Sequence, residues 1–404
     1  MNCQIMPRQT ALFTAMLIFI SLGMAGGMLN ISWTYIHPEV GVDFSDLGIL
    51  LLFATSGSLL AAFGSGILIS RFGIGPIALV GGISVTIGLF GIALVGGWWG
   101  LLVVTFVMYL GRGTLDAGMN NYVSQHHGTA QMNWLHASWG VGLTIAPLFM
   151  TLFITTINMG WEMGYFVMGV LSVALVALIA LNLRRWETTD APADDTSPTP
   201  SLPLTKTLMQ PAVQWSMLTF FVYGGVEIGT GQLANTLLVE GRSISQEVAG
   251  VWLSFYWGSF TLGRIMIGLL ALRLKDDHIL YGCVTLASLG AFLLVLADKL
   301  PFLNLLALIC IGLGLSAIFP VLISQTPGRV GHKHTTNAIG LQVGIAGLGA
   351  TILPGIIGLL TDHLSFEAIS YSLLAIVLVL SVMLTALLRV YSETSNNDKH
   401  FQQN

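Results

Sequence analysis

The sequence predicts an all-α integral membrane protein with twelve transmembrane helices, arranged as two six-helix bundles that repeat in parallel. Three observations carry this: a composition unfit for a water-soluble surface, twelve apolar runs of spanning length, and motifs that recur between the two halves. Of 404 residues, 54% are hydrophobic and 8% charged, against about 25% charged in an ordinary soluble domain. The 15 basic and 19 acidic side chains are too few to cover a soluble fold of this size. A single core cannot hide so many apolar residues either. Disorder is excluded by the same numbers, and a formal net charge of −4 leaves no basic footprint for nucleic acid. The cysteines Cys3, Cys283 and Cys310 imply no disulfide framework.

A helix needs about 20 apolar residues to cross the ~30 Å hydrocarbon core. Runs of that kind fall at 11–36, 46–70, 76–97, 100–124, 132–156, 161–184, 213–237, 247–271, 278–297, 302–326, 335–360 and 364–389. The two-residue alternation of a membrane barrel is absent. The first run follows a single basic residue, Arg8, and lacks a short apolar core with a cleavage site, so it reads as a retained span. Basic residues set the orientation. With the N-terminus inside, Arg8, Arg71, Arg184, Arg185, Lys206, Arg273, Lys275, Arg329, Lys333, Arg389 and Lys399 all face the cytoplasm, and the outer loops hold only Arg242 and Lys299. Both termini are therefore expected in the cytoplasm, and the chain in the inner (plasma) membrane as a monomer.

Residues 187–211, ETTDAPADDTSPTPSLPLTKTLMQP, are proline-rich, acidic and poor in apolar side chains, the composition of a solvated linker. They separate an N-terminal bundle (1–186) from a C-terminal bundle with a short cytoplasmic tail (212–404). The halves repeat. Gly140-Val-Gly142-Leu-Thr144-Ile145-Ala-Pro147 in the fifth run matches Gly347-Leu-Gly349-Ala-Thr351-Ile352-Leu-Pro354 in the eleventh at five of eight positions. Gly48, Leu51, Phe53, Gly66, Leu68 and Arg71 recur 202 positions later as Gly250, Leu253, Phe255, Gly268, Leu270 and Arg273. A parallel repeat of six-helix bundles is a transporter architecture whose site is expected between the repeats, near the midplane.

On these motifs the whole chain resembles the major facilitator superfamily. The stretch Gly66-Ile-Leu-Ile-Ser70-Arg71-Phe-Gly73 is similar to that superfamily's G-x-x-x-D-R-x-G signature, with Ser70 where the signature has Asp. The resemblance implies a gating role for Gly66, Arg71 and Gly73, and Arg264 in the inner third of the eighth run joins them. A narrower resemblance is to the fucose/galactose/glucose–proton symporter branch. It rests on Gly111-Arg112-Gly113-Thr-Leu115-Asp116-Ala-Gly118-Met-Asn120 and Asn133-Trp134-Leu135-His136-Ala-Ser138-Trp139-Gly140, with Tyr223-Gly224-Gly225-Val-Glu227 and Gly250-Val-Trp-Leu253…Gly263-Arg264 in the second half. It implies that Asp116 couples protons to sugar. The branch's first-span carboxylate has no counterpart; Asn30 is nearest.

Arg112, Asp116, His136, Glu227 and Arg264 are the ionisable groups deep within the runs. A charge at such depth costs upwards of ~2.5 kcal/mol and commonly marks an ion or substrate path, though it can also serve as a helix-joining pair. Arg112 and Asp116 are spaced to share one helix face. A carboxylate between a cation and apolar surroundings can change protonation as its water access changes. Glu227 has no basic neighbour within a helical turn, so it is a second coupling candidate. His136 reads as a relay beside Asp116 or as a satisfied histidine. Candidate substrate contacts are the amides Asn30, Asn120, Asn133, Gln232, Asn235 and Gln342, which suit hydroxyls, and the aromatics Trp33, Tyr223, Tyr256 and Trp257, which suit the apolar face of a sugar. No nucleotide loop or nucleophile elbow occurs, and the paired histidines lack metal-ligand company. The expectation is a non-enzymatic secondary transporter without cofactor or metal, coupled to protons or sodium, that takes up a sugar or similar small polar solute. An exporter or antiporter of metabolites or drugs, and a non-transporting membrane sensor, are the alternatives.

Overall fold

The computed structural model describes residues 5–183, 186, 202–298, 300 and 302–401. Every regular element among them is helical. The first half comprises α1 (Ile5–Glu39), a short turn at Phe44–Asp46, α2 (Leu47–Phe72), α3 (Ile74–Leu94), α4 (Trp98–His126), α5 (Thr129–Thr151) and α6 (Trp161–Leu181). After the linker come α7 (Leu204–Leu208), α8 (Pro211–Thr236), α9 (Gln246–Leu270), α10 (Asp276–Leu296), α11 (Leu303–Leu315), α12 (Ile318–Ser324), α13 (Thr326–Val330), α14 (His332–His363) and α15 (Ala368–Phe401). These give twelve spans: α1 to α6, α8, α9, α10, the α11–α12 pair, α14 and α15. Single π turns extend α5 and α8, at Leu152–Thr156 and Leu237–Gly241.

Ten spans are long and apolar enough to cross a membrane on their own merits. The other two, α8 and α9, have 26 and 25 residues and sufficient length, but Glu227, Gln232 and Asn235 on one and Arg264 on the other lower their apolar content. Large apolar side chains such as Phe13, Leu52, Leu148 and Val382 stay exposed on the outer faces of the helices, where lipid is the solvent. The tenth expected span, 302–326, is interrupted between α11 and α12 at Ser316 and Ala317. The freed carbonyls there find side-chain donors, as helix ends require.

The chain divides into two compact units. One holds Met1–His127, Trp134–Leu204 and His332–Gly344; the other holds Gly128–Asn133, Thr205–Gly331 and Ile345–Asn404. In the first, α4 packs on α2 and α3, and α6 on α3; in the second, α11 packs on α9 and α10, and α15 on α10. This is the same arrangement, built twice. Glycine contacts show the repeat at atomic detail. A Cβ on Gly23 of α1 would strike the Trp139 carbonyl of α5, and one on Gly142 of α5 would strike that of Ile20. In the second unit, Gly224 of α8 meets the Ala346 carbonyl of α14, and Gly349 meets that of Phe221. Backbones come this close only where both helices omit side chains. Two single-residue junctions also need glycine: Gly73, between α2 and α3 at φ 81°, and Gly331, between α13 and α14 at φ 79°, a left-handed region that a Cβ disfavours.

Candidate functional site

In the first unit, α4 places Asp116 and Asn120 one turn apart on one face. The Asn120 amide donates to Asp116 Oδ1 at 2.8 Å and to the Asp116 carbonyl at 3.0 Å. Its oxygen lies 2.9 Å from His136 Nε2 on α5. Because the amide NH2 points at Asp116, the partner of the histidine is an acceptor, so Nε2 carries the hydrogen and donates. Asp116, Asn120 and His136 thus form a continuous hydrogen-bonded chain across α4 and α5. Asn120 is fully buried and His136 nearly so, with Phe19 of α1 edge-on to the imidazole at 5.3 Å. Arg112 lies one turn before Asp116. Its guanidinium sits 5.2 Å from the Tyr109 ring centroid and against Gly26 of α1, where a Cβ would come within 2.8 Å of Nη1.

The second unit gathers Glu227 and Arg264, which the sequence offered separately. Arg264 Nη2 lies 3.8 Å from Glu227 Oε1. The guanidinium carbon is 4.2 Å from the Phe260 centroid, and Nε donates to the Ser316 carbonyl at 3.1 Å. Tyr223 donates to the Leu315 carbonyl at 3.2 Å. The α11–α12 break is therefore satisfied by two of the sequence candidates. Tyr256 donates to the Glu227 carbonyl at 2.7 Å. Asn235 exchanges amide hydrogen bonds with Gln246 of α9, at 3.4 and 3.2 Å.

The remaining candidates are dispersed. Trp33, Tyr223 and Tyr256 are fully buried, with their polar atoms bonded to backbone; Trp33 Nε1 donates to the Phe44 carbonyl at 2.9 Å. Trp257 is only partly buried, and Gln232 is exposed. Gln342 is buried in α14. Asn133 is buried on α5 and donates to the Thr129 carbonyl at 2.9 Å. Asn30 lies in α1, and its side chain falls outside the described residues. Of the signature loop, Gly66 faces Asn337 of α14, whose Oδ1 and Cα occupy the place of a Cβ. Gly73 forms the α2–α3 junction, and Arg71 is exposed beside Phe72.

Several polar contacts escaped the sequence reading because their partners are remote. Ser32 and Tyr165 hydroxyls meet at 3.1 Å between α1 and α6. Gln125 donates to Asn121 at 2.7 Å. Thr129 donates to Asp276 at 2.8 Å and lies 2.9 Å from Ser324 within the second unit. Only Asn121 and Gln125, at i and i+4 on α4, carried a local signal.

A family model described as the Major Facilitator Superfamily matches residues 13–342 and 284–403. The glucose/mannose transporter GlcP of Bacillus subtilis (strain 168) is 24% identical over 271 residues, 65% of this chain and 65% of that protein. The chain thus aligns with slightly under two thirds of that relative's length. Among solved structures, the E. coli fucose:proton symporter FucP superposes with a TM-score of 0.70 at 17% identity, covering 96% of this chain and 99% of that one. The proton:xylose symporter XylE, bound to 6-bromo-6-deoxy-D-glucose, gives 0.74 at 11% identity over 94% of this chain and 95% of its own. At these identities the likeness is one of fold.

Proposed function

Since the chain belongs to the Major Facilitator Superfamily, we propose that it is a proton-coupled secondary transporter that takes up a sugar or a similar small polar solute by alternating access. The observation that carries this reading is the Asp116–Asn120–His136 chain. Coupling needs a group whose proton affinity changes with the access state and which communicates with the substrate. Asp116 is such a group, and the buried Asn120 amide connects it to a second titratable side chain, the His136 imidazole. An amide and an imidazole continue a path of hydrogen bonds, where a sodium site would need a cage of oxygens. The sugar part of the proposal is supported by the glucose/mannose transporter among the relatives and by the fucose and xylose symporters among the folds.

The positive-inside distribution supports both termini and the 187–211 segment in the cytoplasm; the inner membrane as location and a monomeric state belong to the same proposal. No cofactor enters the proposal. The test is accumulation in sealed vesicles. With the purified chain reconstituted and an inward proton gradient imposed, D-glucose or D-mannose should rise inside above its outside concentration, and a protonophore should abolish the excess. Equilibration to the same level with and without the gradient would refute coupling to protons.

A further inference from the structure

Arg112 stands at the midpoint of α4, the depth at which a charged side chain is costly in a membrane helix. Arg264, the other deep arginine, is neutralised within its own unit: it meets Glu227 and donates to the Ser316 carbonyl. Arg112 has no such company. Among the described residues no carboxylate pairs with its guanidinium and no oxygen accepts from it. Asp116, one turn on, gives Oδ1 to the Asn120 amide. What Arg112 touches is the Tyr109 ring and the bare Cα of Gly26. The side chain is half-buried, and its nitrogens reach open space. That space is not lipid. Tyr109, Arg112, Asp116 and Asn120 fall at i, i+3, i+7 and i+11, one helix face, which meets Gly26 of α1 and His136 of α5. Gly111 and Gly113, on either side of Arg112, take the close contacts with α3 and α2. A cation without a counter-ion on such a face looks into water.

We infer that Arg112 is a subsite for the carboxylate of an acidic sugar, so that the preferred solute carries one negative charge beside its hydroxyls. The inference deepens the reading of the chain as a sugar transporter and rests on it. A carboxylate supplies what the first unit withholds from this guanidinium: a single negative charge and two oxygens spaced to accept from its planar fork. One cation balances one carboxylate. A phosphate monoester brings a charge of about −1.5 to −2 near neutral pH and would leave part of it uncompensated at this depth. The guanidinium is positioned before a ligand arrives, with the Tyr109 ring centroid 5.2 Å from its carbon and Gly26 making room for it on α1; such pre-organisation lowers the cost of binding. Gly26 is then a positioning residue for Arg112, since a Cβ there would come within 2.8 Å of Nη1.

Calorimetric titration of the purified full chain in detergent tests this, with D-glucose, D-mannose, the uronate of each, and D-glucose 6-phosphate. Each uronate should bind roughly ten- to hundredfold tighter than its neutral sugar, the worth of a hydrogen bond between charged groups. Arg112→Gln should erase that advantage. Arg112→Lys, which keeps the charge and loses the fork, should retain part of it. Gly26→Ala should shrink it as well, because the added Cβ displaces the guanidinium. Should a variant fail to fold, the acid and neutral pairs on the unaltered chain decide. Neutral sugars that match their uronates, an advantage that survives in Arg112→Gln, or a phosphate ester that outbinds D-glucuronate overturns the carboxylate subsite and leaves the sugar reading intact. Binding of none of these solutes overturns both.

Discussion

Arg242 and Glu367 are 125 residues apart, yet they form the most fully satisfied ion pair among the described residues. Nε and Nη2 donate to the two carboxylate oxygens at 2.8 and 2.7 Å, Nη2 also to the Leu294 carbonyl at 2.9 Å, and Nη1 to Asn304. Ser370 adds a hydrogen bond to Glu367 at 2.9 Å. One guanidinium thereby ties together the ends of α8, α10, α11 and α15. Burial pushes the Glu367 carboxyl upward, but the hydrogen bonds from Arg242 and Ser370 and the charge of Arg242 together hold it below its ordinary range. A depressed carboxylate contributes stability above its unfolded pKa of about 4.3, and that contribution is lost as pH falls through the lower folded value. Glu367→Gln should therefore cost about 2 kcal/mol at pH 7, read as a lower Tm in detergent. The deficit should shrink below pH 4 as the parent loses its own carboxylate; a deficit that persists unchanged into acid contradicts this role. Sequence placed Arg242 between two apolar runs and Glu367 at the start of the last one, but gave no means of pairing them. Glu227 with Arg264, and His136 with Asn120, were hidden for the same reason. Only Asp116 with Asn120, one helical turn apart, lay within reach of sequence spacing.

Helices were the legible scale, because membrane spans are announced by apolar length. Each of the twelve runs is found as a span, including the polar α8 and α9. The break in the tenth went unread although Pro320 marks it: a proline cannot donate to the carbonyl four residues earlier, that of Ser316, and Arg264 from another helix takes that carbonyl instead, with Tyr223 on the carbonyl of Leu315. Shared glycines signalled the repeat without telling which were needed, and the structure separates them. Gly349 has the Phe221 backbone where its Cβ would go, whereas Gly250 has open space. Gly349→Ala should push α14 off α8 and cost about 3 kcal/mol or more, beyond ordinary overpacking because backbone cannot yield as a side chain does. Gly250→Ala should be neutral or stabilising by up to about 1 kcal/mol, since it only restricts the unfolded chain. Thermal unfolding of both variants in detergent decides. Equal effects would mean that the close helix approach is not what the repeat preserves.

At the scale of the molecule, two units of the same plan carry different chemistry. The first holds a carboxylate–amide–imidazole chain; the second holds an ion pair beside a helix break and a partly open indole. That division was invisible in composition and appears only when side chains from different helices meet. On the proposed reading, proton handling falls to Asp116. Uptake against a gradient then depends on Asp116 changing its charge, while passive exchange does not. The most direct measurement compares two assays on Asp116→Asn in reconstituted vesicles. Asn is nearly isosteric with the protonated acid and keeps an acceptor for Asn120, so the chain's geometry is preserved while its titration is removed. The variant should exchange labelled D-glucose or D-mannose across the membrane at a rate comparable to the parent when no gradient is applied. It should fail to concentrate that sugar when an inward proton gradient is imposed. Accumulation equal to that of the parent would contradict the account, and its loss in Glu227→Gln instead would move proton coupling to the second unit.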